Sequence, residues 1–123
     1  MALAVNWIKC EGEGRQGKHW CKLLKLKLEA AHFDDLEGVY VIWHGGPDPT
    51  CLRIGRGVIR ERLDAHRNEQ EVLAYRQQGL YATWARVPAH QRDGVERYLV
   101  EALMPNAATR LPKVNPIEVD LPR

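Results

Sequence analysis

Little in this chain points to a covalent or metal-built framework. Its three cysteines, Cys10, Cys21 and Cys51, make an odd number without a C-x-x-C pair, so no disulfide scaffold is expected. His19 lies near two of them. Structural zinc, however, usually draws two close ligand pairs from a chain, and only one is present, so buried or free thiols are the expectation. No stretch approaches the ~20 apolar residues of a membrane span, and Met1-Ala-Leu-Ala-Val lacks the basic start of a secretory signal. Cytoplasmic residence is the resulting expectation. Excess charge is lacking too: a net charge of +2 permits a nucleic-acid partner without demanding one. There is no internal repeat, and no helix-turn-helix or zinc-finger module for reading DNA sequence.

At 123 residues the chain has room for one domain and one core. Apolar content of 45% and charged content of 28% match an ordinary globular protein. The informative charge is local. Five arginines, at 53, 56, 60, 62 and 67, stand against only Glu61 and Asp64.

The first 35 residues form an extension. Glu11 to Lys18 is glycine-rich, charged and aperiodic, and is expected to be a loop. From Trp20 to Leu28, Leu24, Leu26 and Leu28 alternate with Lys25 and Lys27, a period of two that predicts a strand with lysines guarding its solvated face. Val5 to Cys10 either pairs with it as a hairpin or forms a short helix. Beyond Leu36, Gly38 to His44 is rich in β-branched and aromatic residues and runs into Gly45-Gly46-Pro47-Asp48-Pro49. A hairpin with Cys51 to Gly55 follows. A helix from Val58 to Arg67 continues or restarts toward Gly79, its expected stop. Leu80 to Val87 is a strand broken by Pro88, and Asp93 is the expected cap of a last helix. The order β-β-α-β-α predicts an α/β (α+β) domain over 36–123, with a central antiparallel sheet flanked by helices.

Helical wheels single out the candidate residues. Over Val58 to Arg67, Val58, Ile59, Leu63 and Ala65 share one arc, and Arg62 and His66 fall inside it, one turn apart. Over Val95 to Met104 the apolar arc is Val95, Leu99, Val100, Ala102 and Leu103, with Glu96 inside it. Burying an unpaired carboxylate costs several kcal/mol, so Glu96 calls for a metal, a cation or an opening to water. Taken singly, each residue also has a purely structural reading, such as a Glu96–Arg62 ion pair.

In order, Gly38-Val39-Tyr40, a turn, Arg53-Ile54-Gly55, a helix bearing Arg62 and His66, a strand, and a helix with Glu96 shortly before Pro105 resemble the GIY-YIG nuclease domain. The resemblance spans roughly Leu36 to Asn115. It implies hydrolysis of DNA phosphodiesters with one divalent ion, Mg²⁺ or Mn²⁺. Tyr40 would be the general base, Arg62 the phosphate ligand, His66 its neighbour one turn on, and Glu96 the metal ligand. Gly55, Arg53 and Arg56 would contribute to substrate binding. The chain departs from the pattern at Arg53, where the second motif has tyrosine. There the cation would favour the Tyr40 phenolate. Asn106 and Asn115 compete for the asparagine that follows the proline in relatives.

Three functions follow as expectations. One is a metal-dependent DNA endonuclease, targeted by DNA structure, a protein partner or dimerisation. A catalytically impaired DNA-binding or interaction module is the second. The third is a nucleotide or acyl-cofactor site at Gly55-Arg56-Gly57, a weak signal because Arg60 stands where a third glycine belongs.

Overall fold

Alternating β-branched and aromatic residues build the centre of the molecule. A computed structural model describes residues 3–11, 18–103 and 115–122. Within it, β1 (Cys10–Glu11) and β2 (Lys18–His19) form a small hairpin. A four-stranded antiparallel sheet combines β3 (Cys21–Lys22), β4 (Glu37–His44), β5 (Thr50–Val58) and β6 (Leu80–Arg86), in the order β3-β6-β4-β5. Helices α1 (Ile59–Arg67), α2 (Gln70–Leu73) and α3 (Ala89–Leu103) complete the mixed α+β architecture.

Pleating sends alternate residues of β4 to opposite faces, and each face has its own core. Tyr40 and Ile42 pack with Ile59, Leu63, Val72 and Trp84 on the α1 side. Val39 and Val41 pack with Ala85, Val95 and Leu99 on the α3 side. The hairpin expected around Gly45 to Pro49 is present, and β5 runs on to Val58, three residues past the expected end. Gly79, at φ +86, ends the segment after α2 as expected, because a positive φ costs glycine nothing.

Several expectations need correction. The predicted strand from Trp20 to Leu28 pairs only at Cys21–Lys22, and the chain then enters a 3-10 turn over Leu23–Lys25. Turning buries Leu23 and Leu28 while leaving Leu24 45% exposed, so burial overrides the alternation. Two arginines of α1 hold the departing chain by its carbonyls: Arg67 donates to Leu26 and Arg60 to Leu28. Arg60 is therefore a clasp, although its side chain stays 36% exposed. On α1, Val58 and Ala65 are exposed, and the buried stripe narrows to Ile59 and Leu63. On α3, Ala102 is exposed. Asp93 does not cap α3, because Pro88, with its fixed φ, starts the helix a turn earlier and accepts from the Gln91 N–H. Met104, Pro105, Asn106 and residues 12–17 lie outside the described residues.

The largest correction concerns the cysteines. Cys10 and Cys21 are disulfide-bonded, and Cys51 is the free thiol. The β1–β2 pairing sets Cys10 opposite His19, which brings it to the start of β3 although no short motif announces the pair. The bond closes a loop of sequence separation 11, so chain-entropy reasoning values it at about 2–3 kcal/mol. Urea unfolding with and without reductant is expected to differ by that amount, and Cys10→Ser should abolish the difference. Identical midpoints in all three cases would show that the bond constrains nothing.

Candidate active site

The candidate site is built around β5, one of the two edge strands of the sheet. Tyr40 pairs with Gly55 and Val39 with Arg56, so Tyr40 lies on the α1 side and Arg56 on the α3 side. A β-carbon at Gly55 would come 2.2 Å from the Tyr40 hydroxyl and 2.6 Å from Cζ. The phenol ring therefore lies across the glycine toward the open edge of the sheet. At Gly57 the nearest neighbours are Cγ and Cδ of Arg62, at 3.7 Å. Two missing side chains thus leave β5 low enough for groups from both faces to act on one another.

The Tyr40 hydroxyl sits 2.6 Å from Nε2 of His66, and His66 Nδ1 bonds to Oε1 of Glu69. The other carboxylate oxygen of Glu69 accepts from Nη2 of Arg53 at 3.0 Å. That nitrogen also reaches Glu71 at 3.0 Å, while Nη1 donates to the Leu52 carbonyl at 2.8 Å. Burial pushes the Tyr40 pKa up, and the adjacent Arg62 guanidinium pulls it back through a hydrogen bond and its charge. Burial also lowers the His66 pKa, against the pull of Glu69, so the ring is neutral at neutral pH. Burial alone would raise the Glu69 pKa, but hydrogen bonds from Arg53 and His66 outweigh it and keep the carboxyl ionised.

Glu96 approaches from α3. Its side chain is 13% exposed and lies 3.5 Å from Nε of Arg56, which also contacts Asp93 at 2.5 Å. Burial raises the Glu96 pKa, Arg56 opposes this, and the neighbouring Asp93 charge adds to it. The Glu96 charge helps to raise the Tyr40 pKa, and the Arg62 charge acts on both groups in the opposite direction. Tyr40, Arg62 and His66 are thus brought together on one face of the sheet, and Glu96, arriving from the other face, lies within electrostatic reach of Tyr40 and Arg62.

Two expected site residues have other partners. Arg53 does not act on the Tyr40 phenol: its guanidinium is committed to Glu69 and Glu71. The ion-pair partner of Glu96 is Arg56, and Arg62, the partner in the purely structural alternative, acts on it only through its charge. Gly55 and Gly57 lie inside β5, in register with Tyr40 and Gly38, and not at a strand-to-helix junction where free N–H groups would cradle a phosphate. The Cys51 thiol is pushed up to about 12 by burial, which removes it as a nucleophile. Glu69 was missed. Its spacing of three from His66 was the available signal, though α1 ends at Arg67 and the contact forms across the turn that follows.

Among the described residues no group of three or more His, Cys, Asp or Glu side chains forms a metal cage. The oxygen donors at the site are the Glu96 carboxylate, with Asp93 beside it. A hard divalent ion that keeps most of its water fits this set, since Mg²⁺ is commonly held by one or two carboxylates plus substrate phosphate. Arg56 already places positive charge there. No helix among the described residues is long and apolar enough to cross a membrane. Compared with known proteins, the chain matches no family model, no curated protein and no solved structure.

Proposed function

We propose that this protein is a divalent-metal-dependent DNA endonuclease of the GIY-YIG type, working on DNA in the cytoplasm. The observation that supports this reading is the convergence of Tyr40, Arg62, His66 and Glu96 around the two glycines of an edge strand. Phosphodiester hydrolysis needs an activated water, neutralised phosphoryl charge and help for the leaving oxygen. Arg62 is exposed and lies beside the phenol, so an incoming phosphate can draw its guanidinium away and bind it as a planar, permanently charged donor. That movement uncovers a tyrosine that is otherwise 1% exposed. Tyr40 passes its proton to Nε2 of His66 and takes one from the attacking water.

Glu96 would hold Mg²⁺ or Mn²⁺, with Asp93 alongside and Arg56 released toward the DNA backbone. When bound, the ion neutralises charge on the phosphate and the leaving oxygen. Exposed arginines meeting phosphates give affinity without sequence choice, so DNA structure, a protein partner or a second copy would direct the cut. In the cytoplasm the Cys10–Cys21 pair would be drawn toward the dithiol, which makes its effect on stability relevant to the working state.

Plasmid nicking tests the proposal. The wild type is expected to nick with Mg²⁺ and not in chelator, and Tyr40→Phe to lower the rate by about 10²–10⁴-fold, the usual worth of a general base. Binding to DNA in chelator should be unchanged. Retained binding with no cutting by wild type under any metal condition would instead identify a catalytically impaired binding module. Undiminished nicking by Tyr40→Phe would remove the phenol from the mechanism.

A further inference from the structure

We infer that Glu69, anchored by Arg53, is a positioning residue that fixes the His66 tautomer so that Nε2 can receive the Tyr40 proton. The inference rests on the cleavage mechanism proposed above and adds two residues to it. It starts from the order of contacts along one line: Tyr40 Oη to His66 Nε2 at 2.6 Å, His66 Nδ1 to Glu69 Oε1, and Glu69 Oε2 to Arg53 Nη2 at 3.0 Å.

Hydrogen-bond logic sets the direction of each link. An ionised carboxylate only accepts, so the bond to Glu69 requires the proton on His66 Nδ1. A neutral ring with Nδ1 protonated has a lone pair on Nε2, and the Tyr40 O–H must then donate to it. The charged groups around His66 are Glu69, Arg62 and Arg53, with Tyr40 facing it from β4. Glu69 would swing freely without a second hold, being 35% exposed and just beyond α1. Arg53, 13% exposed and also tied to Leu52 and Glu71, supplies that hold. Its place in β5, where the resemblance expects tyrosine, thus contributes a support for the histidine.

The proton inventory closes. The O–H bond of Tyr40 breaks and its proton forms an N–H bond at His66 Nε2. The phenolate then takes a proton from water, whose oxygen bonds to phosphorus as the ester P–O bond breaks. The leaving alkoxide is protonated from solvent, and His66 returns its extra proton to solvent. Glu69 stays ionised throughout and stabilises the transient imidazolium.

Nitrogen-15 NMR of the intact protein reads the tautomer directly, and nicking at a series of pH values reads its consequence. Wild type is expected to carry the neutral-ring proton on Nδ1. In Glu69→Ala that proton should redistribute toward Nε2, and nicking should fall by about 10–100-fold with binding in chelator unchanged. Glu69→Gln keeps an oxygen acceptor without the charge, so it should retain the tautomer and recover part of the rate. The acidic limb of its pH–rate profile should move to lower pH as His66 protonates less readily. Arg53→Ala should follow Glu69→Ala in direction. An unchanged tautomer in Glu69→Ala overturns the inference whatever the activity, and so does a moved tautomer with undiminished nicking. If wild type never nicks yet Glu69→Ala moves the proton, the hold of Glu69 on His66 is supported and the cleavage mechanism alone fails.

Discussion

Replacing Glu96 with glutamine is expected to abolish nicking while leaving the fold more stable than wild type at neutral pH. Removing the carboxylate takes away the charge that would hold the metal, and a loss of at least about 10²–10³-fold is expected, as for other groups that stabilise developing charge. Stability moves in the opposite direction. Burial raises the Glu96 pKa above the ordinary 4.5, and Asp93 adds like charge, so the attraction of Arg56 does not fully compensate the cost of ionisation. A group whose folded-state pKa lies above its unfolded value contributes most below the unfolded value. That contribution is lost as the pH rises through the folded value. Glutamine does not titrate. The advantage of Glu96→Gln should therefore be small near about pH 4 and grow as the pH rises toward about 7. Urea denaturation of both proteins at the two pH values measures it. A mutant less stable than wild type at neutral pH would mean that the Arg56 pair outweighs the burial, and that Glu96 is a structural ion-pair member.

What could be read from the sequence divides along a physical line. Strands β4 and β6 declare themselves because their β-branched and aromatic residues alternate between two cores, and α3 because period 3.6 puts Val95 and Leu99 on one face. The inward turn of Glu96 was legible by the same period, since a residue between Leu103 and Val100 on the wheel has nowhere else to point. Its partner was not, because Arg56 arrives from β5, whose register with β4 no local pattern specifies. The run of leucines after Trp20 misled for a related reason. Leu23 and Leu28 are buried by contacts with α1, far along the chain, and those contacts outweigh an alternation that needs a neighbouring strand to have meaning. The Cys10–Cys21 bond likewise depends on a hairpin register, and Glu69 on a turn beyond the end of a helix. Periodicity reports which face a residue occupies. It is silent on what meets that residue there.

Gly55→Ala is expected to cost about 2–4 kcal/mol and to break the Tyr40–His66 hydrogen bond, combining overpacking with a lost buried partner. The new β-carbon would stand 2.2 Å from the Tyr40 hydroxyl, 2.6 Å from Cζ and 2.9 Å from Cε1. Tyr40 has no room to retreat: it is 1% exposed, packed in the α1-side core, and tied to His66 through both a hydrogen bond and a ring contact at 5.3 Å. Because the tightest clash is with the hydroxyl itself, part of the penalty should vanish when that oxygen is absent. A double-mutant cycle isolates this: Gly55→Ala should cost at least about 1 kcal/mol less in a Tyr40→Phe background than in wild type. Chemical denaturation of the four proteins supplies the cycle, and nicking should be undetectable in both proteins that carry the alanine. Equal costs in the two backgrounds would mean that the Tyr40 hydroxyl does not lie against the glycine, and the shared edge on which the proposed chemistry depends would be lost with it.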